Sequence, residues 1–446
     1  MAALSGSSLN AGGTGSGGSS SSSSGIFSRK LGYLPHRIAA GPLINGNRLL
    51  AVSSFSDSAV STNQVQVLSF DGRSFSDVLT FPSCFPMNSL CWASRGSSSS
   101  SGGGALENKT QRSGKTGATS PETYSPAMSG IDLDQEQDGG SYAYNDSAIN
   151  NAAYVQKMNA QRYLSPGACT EDQEPDAKTF LLTACSTVRV YDISAGQAQM
   201  ENVREFRHNN VASGGSAPNT NGLTSYCAPV TGVAAADQGA FAVSCDVYGY
   251  VYIWDIERGV SVSQPIDINM PLFDVCFRPG SASEIAVAGS GQIGLYDLRE
   301  PQKGLCMVDA PVDARASGPG RLSWARNDFL AAAWMGEGTQ FGLCVYDPRE
   351  CLATNFQLPT TSKAAGEGPV DVAWSGTAMV AALESKGQCV SARVREDLSI
   401  EGSSGITWDL GWPVTALATT TIPSMGHIAV LGATNENLYV GQLGNQ

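Results

Sequence analysis

The chain has little of what several function classes require. No apolar run approaches the roughly twenty residues that span a bilayer, which argues against a membrane partner. Basic residues number 27 against 40 acidic ones, a formal charge of −13, and that balance argues against unassisted binding to a phosphate backbone. Only three histidines are present, His36, His208 and His427. None sits in a recognisable nucleophile string and no two have metal-ligand spacing, so neither an enzyme nor a metal or cofactor site is expected. The eleven cysteines are odd in number, scattered and without a CxxC pair. Cys91, Cys185, Cys245, Cys276 and Cys344 fall inside apolar strand-like runs, where cysteine acts as a small apolar residue. With no signal-like apolar block in residues 1–25, a reduced, intracellular state is expected, and the sequons at Asn108 and Asn145 are expected to stay unglycosylated.

What the chain does have is a repeat. The stretches 180–197 (FLLTACSTVRVYDISAGQ), 240–259 (AFAVSCDVYGYVYIWDIERG), 284–300 (EIAVAGSGQIGLYDLRE) and 329–350 (FLAAAWMGEGTQFGLCVYDPRE) share one pattern. Each is an apolar run, a turn, a second run and an aromatic-Asp ending: Tyr191-Asp192, Trp254-Asp255, Tyr296-Asp297 and Tyr346-Asp347. The last three Asp are 42 and 50 residues apart. A further apolar strand precedes most units and carries Trp92, Phe277, Trp324 or Trp374. A two-strand unit closed by Trp-Asp or Tyr-Asp at this spacing is the signature of a WD40 β-propeller. Blade starts near 37, 88, 230, 272, 320, 370 and 414 predict an all-β fold of seven blades. Trp92, Asp192, Trp254, Asp255, Trp324 and Trp374 are then structural residues of the repeat.

The last strand, Asn437 to Leu443, is only the third of its blade. Ile26 to Leu34 is therefore expected to supply the fourth and close the ring from both ends. The propeller is expected over 26–446, behind a disordered Ser/Gly tail at 1–25. It is interrupted in blade two by a low-complexity acidic insert at 96–178 whose low hydrophobicity cannot offset the entropy of ordering. Within that insert, Ser147 to Leu164 places Ile149, Val155, Met158 and Tyr163 near one helical stripe, read as a transient helix or a short docking helix. Asn209 to Thr224 is expected to be a mobile loop.

Three strings imitate enzyme motifs. Gly289-Ser290-Gly291-Gln292-Ile293-Gly294 has the form GxGxxG, but a dinucleotide site needs a helix next, and Leu295-Tyr296-Asp297-Leu298 continues as a strand; a hairpin turn is expected. Gly114-Lys115-Thr116 lacks the upstream glycine of a phosphate-binding loop, since Lys109 stands there. Gly336-Glu337-Gly338 reads as another hairpin.

Arg48 to Phe55, Gln64 to Leu68, Tyr226-Cys227-Ala228-Pro229-Val230-Thr231, Leu272 to Phe277 and Ile293 to Arg299 together resemble WD40 adaptors of the Transparent Testa Glabra type and their animal kinase-binding counterpart, a cullin-4-associated WD-repeat factor. The resemblance runs from about Leu34 to Leu443 and leaves out the tail and the insert. It implies a non-enzymatic scaffold of nucleus and cytoplasm that holds protein kinases, transcription regulators or a cullin-4 ligase linker. By the same resemblance, Tyr296-Asp297-Leu298-Arg299 and Tyr346-Asp347-Pro348-Arg349 are candidate ligase-linker contacts. The bland reading of Arg299 and Arg349 is a turn cap paired to the preceding Asp. The other class of function left open is an obligate structural subunit of a larger assembly; a scaffold with transient partners is expected to be monomeric when alone.

Overall fold

The computed structural model describes residues 25–56, 62–95, 178–193, 204–208, 228–237, 239–301, 303–309, 320–334, 342–350, 352–356, 369–383 and 387–443. Of the expected tail at 1–25 and insert at 96–178, only Gly25 and Lys178 are described, and Lys178 belongs to the propeller: it opens the second strand of blade two, opposite Arg95. The rest of both, with the helix-like stretch, the expected loop at 209–224 and the expected hairpin at Gly336-Glu337-Gly338, lies outside the described residues.

Among the described residues all regular structure is β, arranged as seven antiparallel sheets. Their first strands are Leu34–Ile44, Ser89–Arg95, Val230–Ala235, Leu272–Phe277, Gly320–Trp324, Pro369–Ser375 and Val414–Ile422, each within a few residues of the start read from the repeat. Successive first strands abut one another around the ring, so the chain is a seven-bladed β-propeller with those strands innermost.

The ring closes as expected, with one correction. Ile26–Lys30 pairs antiparallel with Asn437–Gln442, Ile26 opposite Gly441 and Lys30 opposite Asn437, and completes blade seven. The donor stops at Lys30, however, and Leu34 already opens blade one. The reason is local: Gly32 turns the chain at a φ of 79°, a conformation glycine adopts without steric cost.

Among the described residues the buried apolar side chains do not form one central core. Seven apolar clusters each combine side chains from two neighbouring blades, one cluster per seam. Phe241 and Val251 of blade three, for example, share a cluster with Val275 and Ile285 of blade four, while Phe70 of blade one sits with Val430 and Val440 of blade seven. The second and third strands of the blades are therefore largely buried on both faces, which explains why polar alternation is weak in them.

Polar bonds between first strands stitch the same seams. Arg37 donates from Nε to the Asn88 carbonyl at 2.8 Å, Thr231 to the Leu272 carbonyl at 2.8 Å, and Thr415 to the Pro35 carbonyl at 2.6 Å. The Leu322 amide donates to Asp274 at 2.9 Å and the Leu417 amide to Asp371 at 3.3 Å.

Candidate interaction surface

The aromatic-Asp endings have a mechanical role. Asp255 accepts the amides of Glu257 and Arg258, each at 3.0 Å, and Asp297 and Asp347 accept the amides of Arg299 and Arg349 at 3.0 Å. Each carboxylate caps the turn after a third strand. Asp192 holds the equivalent place at the end of Val188–Asp192 in blade two. The indoles act across or within blades. Trp92 donates to the Ala39 carbonyl of blade one at 3.0 Å, Trp374 to the Ser323 carbonyl of blade five at 2.9 Å, and Trp324 to the Asp328 carbonyl in its own blade at 3.0 Å.

The GxGxxG string is a hairpin. Gly291 turns between Glu284–Gly289 and Gln292–Asp297 with a φ of 77°, and Gly294 lies within the second of these strands. Cys91, Cys185, Cys245, Cys276 and Cys344 are free thiols, buried or half-buried, and burial raises the thiol pKa of Cys91, Cys245, Cys276 and Cys344.

Tertiary structure assembles one constellation that spacing did not reveal. His208 approaches Asp246 with Nδ1 at 2.9 Å from Oδ2, and its Nε2 lies 2.7 Å from the Ser244 hydroxyl. Trp254 donates its indole N–H to that same hydroxyl at 2.7 Å. Burial lowers the His208 pKa against the opposing pull of Asp246, which favours the neutral ring. A neutral ring donates from Nδ1 to the carboxylate and accepts the serine proton at Nε2. The order Asp-His-Ser is that of a nucleophilic triad, yet His208 and Ser244 are both 0% exposed. The serine oxygen already accepts from Trp254. The four residues bolt the end of blade two, where His208 follows the outermost strand Arg204–Phe206, to the second and third strands of blade three, and Phe206 of blade two stacks on Trp254 at 4.7 Å. The other two histidines are also engaged. His427 is exposed and 3.0 Å from Ser375 Oγ. His36 lies half-buried against Phe55, its pKa lowered to about 4 by burial and by Arg37. Among the described residues no group of His, Cys, Asp or Glu could hold a metal ion.

Arg299 and Arg349 follow the third strands of adjacent blades, so both lie on the same face of the ring. Each folds back onto its own Asp. Arg299 Nε is 2.8 Å from Asp297 Oδ1; Arg349 makes a two-point pair with Asp347 at 2.9 and 2.7 Å. The Arg299 side chain is 20% exposed and that of Arg349 is 52% exposed. Each arginine is thus paired to its preceding Asp, and Arg349 keeps half its surface open. Tyr296 and Tyr346 are buried beneath them.

Exposed large apolar residues are sorted by place in the fold. Phe55, Phe85, Tyr248 and Trp412 stand where a second strand ends, in a second-to-third strand turn, or between blades. In an up-and-down blade those positions share one face, opposite that of Arg299 and Arg349. Val260, Leu305, Met307 and Leu352 instead occupy outermost strands, on the rim.

No family model matches the chain, and no curated protein does either. Solved structures do: 1334 chains match. One, in a crystal structure of the mitotic checkpoint complex, superposes with a TM-score of 0.53 at 10% identity, over 98% of this chain and 97% of that one. The fold shared is that of a seven-bladed β-propeller. At this identity the likeness concerns fold alone. Of the Cys-Ala-Pro string behind the narrower resemblance, Tyr226 and Cys227 lie outside the described residues, while Val230 opens blade three.

Proposed function

We propose that this propeller is a non-enzymatic protein-interaction scaffold. The observation that carries the reading is the face bearing Phe55, Phe85, Tyr248 and Trp412, each between 40% and 57% exposed. Aromatic side chains supply contact area at low entropic cost and are enriched at interfaces. A ring bolted at every seam presents them without an ordering penalty. The finer reading, drawn from the family resemblance, is an adaptor of nucleus and cytoplasm for protein kinases, transcription regulators or a cullin-4 ligase linker, the last engaging Tyr296, Asp297, Arg299, Tyr346, Asp347 and Arg349. A second reading, an obligate subunit of a larger assembly, is favoured by the rim residues Leu305 and Leu352, 58% and 53% exposed.

The test is affinity purification of the tagged protein from its own cells, with Y248S/W412S, R299A/R349A and a form lacking 96–176 alongside, and partners identified by mass spectrometry. A kinase or transcription regulator lost with Y248S/W412S supports the adaptor. Ligase components lost only with R299A/R349A support the linker contact, and their retention by the folded variant removes it. A fixed-stoichiometry complex indifferent to both pairs favours the obligate subunit.

A further inference from the structure

At the Arg349 corner the chain departs from its acidic average. A cleft of about 430 Å³ opens between blades five and six, lined by Phe329, Arg349, Thr377, Arg393, Arg395 and Glu396, with Asn327 at its edge. Three guanidinium groups line one cleft in a protein of net charge −13.

Topology explains the convergence. Asn327 and Phe329 belong to the turn between the first and second strands of blade five, and Thr377 to the same turn of blade six; Arg349 and Arg395 follow the third strands of those blades, and Arg393 lies near the end of one. Antiparallel meanders put all of these on one face. The arginines are held by carboxylates behind them. Arg349 is paired at two points to Asp347, whose side chain is 4% exposed, and its guanidinium carbon sits 5.7 Å over the Phe329 ring. Arg393 and Arg395 share the single carboxylate of Glu401 at 3.5 and 3.2 Å. A guanidinium carries five N–H donors. The bonds to Asp347 use two nitrogens of Arg349, and one carboxylate serves two arginines of blade six, so donors remain on all three groups. Its two-point pairing to a buried carboxylate limits the freedom Arg349 loses when a ligand arrives.

We propose that this cleft is an anion site for a phosphomonoester or diphosphate group. The three arginines would donate to its oxygens, Thr377 would supply a hydroxyl, and Glu396 would disfavour ligands that bring further negative charge to that side. Planar forks at several angles match a tetrahedral group with several oxygens better than they match one carboxylate. The site does not depend on the ligase-linker reading, because two of its three arginines belong to blade six and lie outside both Asp-x-Arg boxes. The phosphoryl group can come from a phosphorylated protein segment or from a free phosphate compound.

The experiment uses the full chain and two probes, inorganic pyrophosphate and a glycine-flanked phosphoserine pentapeptide with its unphosphorylated twin. Binding is read by calorimetry at pH 7.5 and constant ionic strength, for wild type, R393Q/R395Q, R349Q and R299A, with near-ultraviolet circular dichroism as the check on folding. Saturable binding of pyrophosphate, weakened at least about tenfold in folded R393Q/R395Q, is expected, since charge-assisted hydrogen bonds are among the stronger kind. Phosphopeptide binding with the same sensitivity, and none by the twin, assigns the ligand to a protein segment; pyrophosphate binding alone assigns it to a free phosphate. No saturable binding of either probe to wild type, or equal binding by folded R393Q/R395Q, overturns the site. Loss in R299A with R393Q/R395Q unaffected would place anion binding at the Asp-x-Arg corners instead and also overturn it.

Discussion

Phe27 pairs in register with Val440, so one side of blade seven comes from the beginning of the described chain and the rest from its end. The strand also brings Phe27 edge-on to Phe70 of blade one, with ring centroids 5.8 Å apart. Ring closure and the seam between blades seven and one therefore depend on the same five residues.

Phe27→Ala is expected to lower stability by about 2 kcal/mol, below the usual cost of truncating a fully buried phenylalanine because Phe27 is only half-buried. Removal of 1–30 should lower it further and leave Asn437–Gln442 as an open edge that self-associates. Thermal denaturation and size-exclusion chromatography over a range of concentrations check this; an unchanged, monomeric deletion variant would contradict the closure argument.

The buried chain from Trp254 through Ser244 and His208 to Asp246 is expected to behave as one unit. His208→Ala leaves Asp246, 1% exposed, without its ring partner and should cost about 3 kcal/mol or more. Ser244→Ala strands the Trp254 N–H and should cost roughly 1–3 kcal/mol. Because the two share one network, the double variant should cost clearly less than the sum. Urea denaturation of all four proteins measures the coupling, and simple additivity would mean that the network is not cooperative.

Gly41 lies under the Trp92 indole, and a β-carbon placed there would come within 2.6 Å of the ring. Gly41→Ala should push the indole off the Ala39 carbonyl, at a cost of about 1–3 kcal/mol, as for other overpacked sites. Tryptophan fluorescence together with the melting temperature tests the point. A variant as stable as wild type with an unchanged spectrum would show that the seam yields freely.

Asp274 and Asp371 give the molecule a pH dependence of definite sign. Both lie on innermost strands facing Arg37, and burial raises their pKa from 3.8 to about 7 and about 6 respectively; the Asp371 charge raises Asp274 further, and Arg37 opposes the shift of both. A carboxyl whose folded pKa is raised stabilises the fold most below its unfolded pKa, and that contribution is lost as pH rises through the folded value. These two groups should therefore make stability fall from about pH 4 to pH 7. D274N and D371N should flatten that slope. They should also be somewhat less stable at pH 5, where the amide offers one acceptor in place of two to the Val275 and Leu322 amides or their blade-six counterparts. Denaturation midpoints from pH 4 to 8 decide it, and an undiminished slope in both variants would place its origin elsewhere.

The chain by itself determined the architecture: seven blades, their first strands and the closing strand. Each of these is written locally, in an apolar run, a turn residue and an aromatic-Asp ending, and a β-meander needs only neighbouring segments to pair. The donor's end at Lys30 was misjudged by a few residues because Leu34 is equally apolar and only the turn at Gly32 assigns it to the next sheet. Tertiary structure alone decided which side chains meet. His208 finds Asp246 across 38 residues, Arg37 of blade one faces Asp274 of blade four and Asp371 of blade six, and Arg349 shares a cleft with Arg393 and Arg395. Such meetings follow from the curvature of the ring and the rotation between blades, which bring together groups that no period in the chain relates.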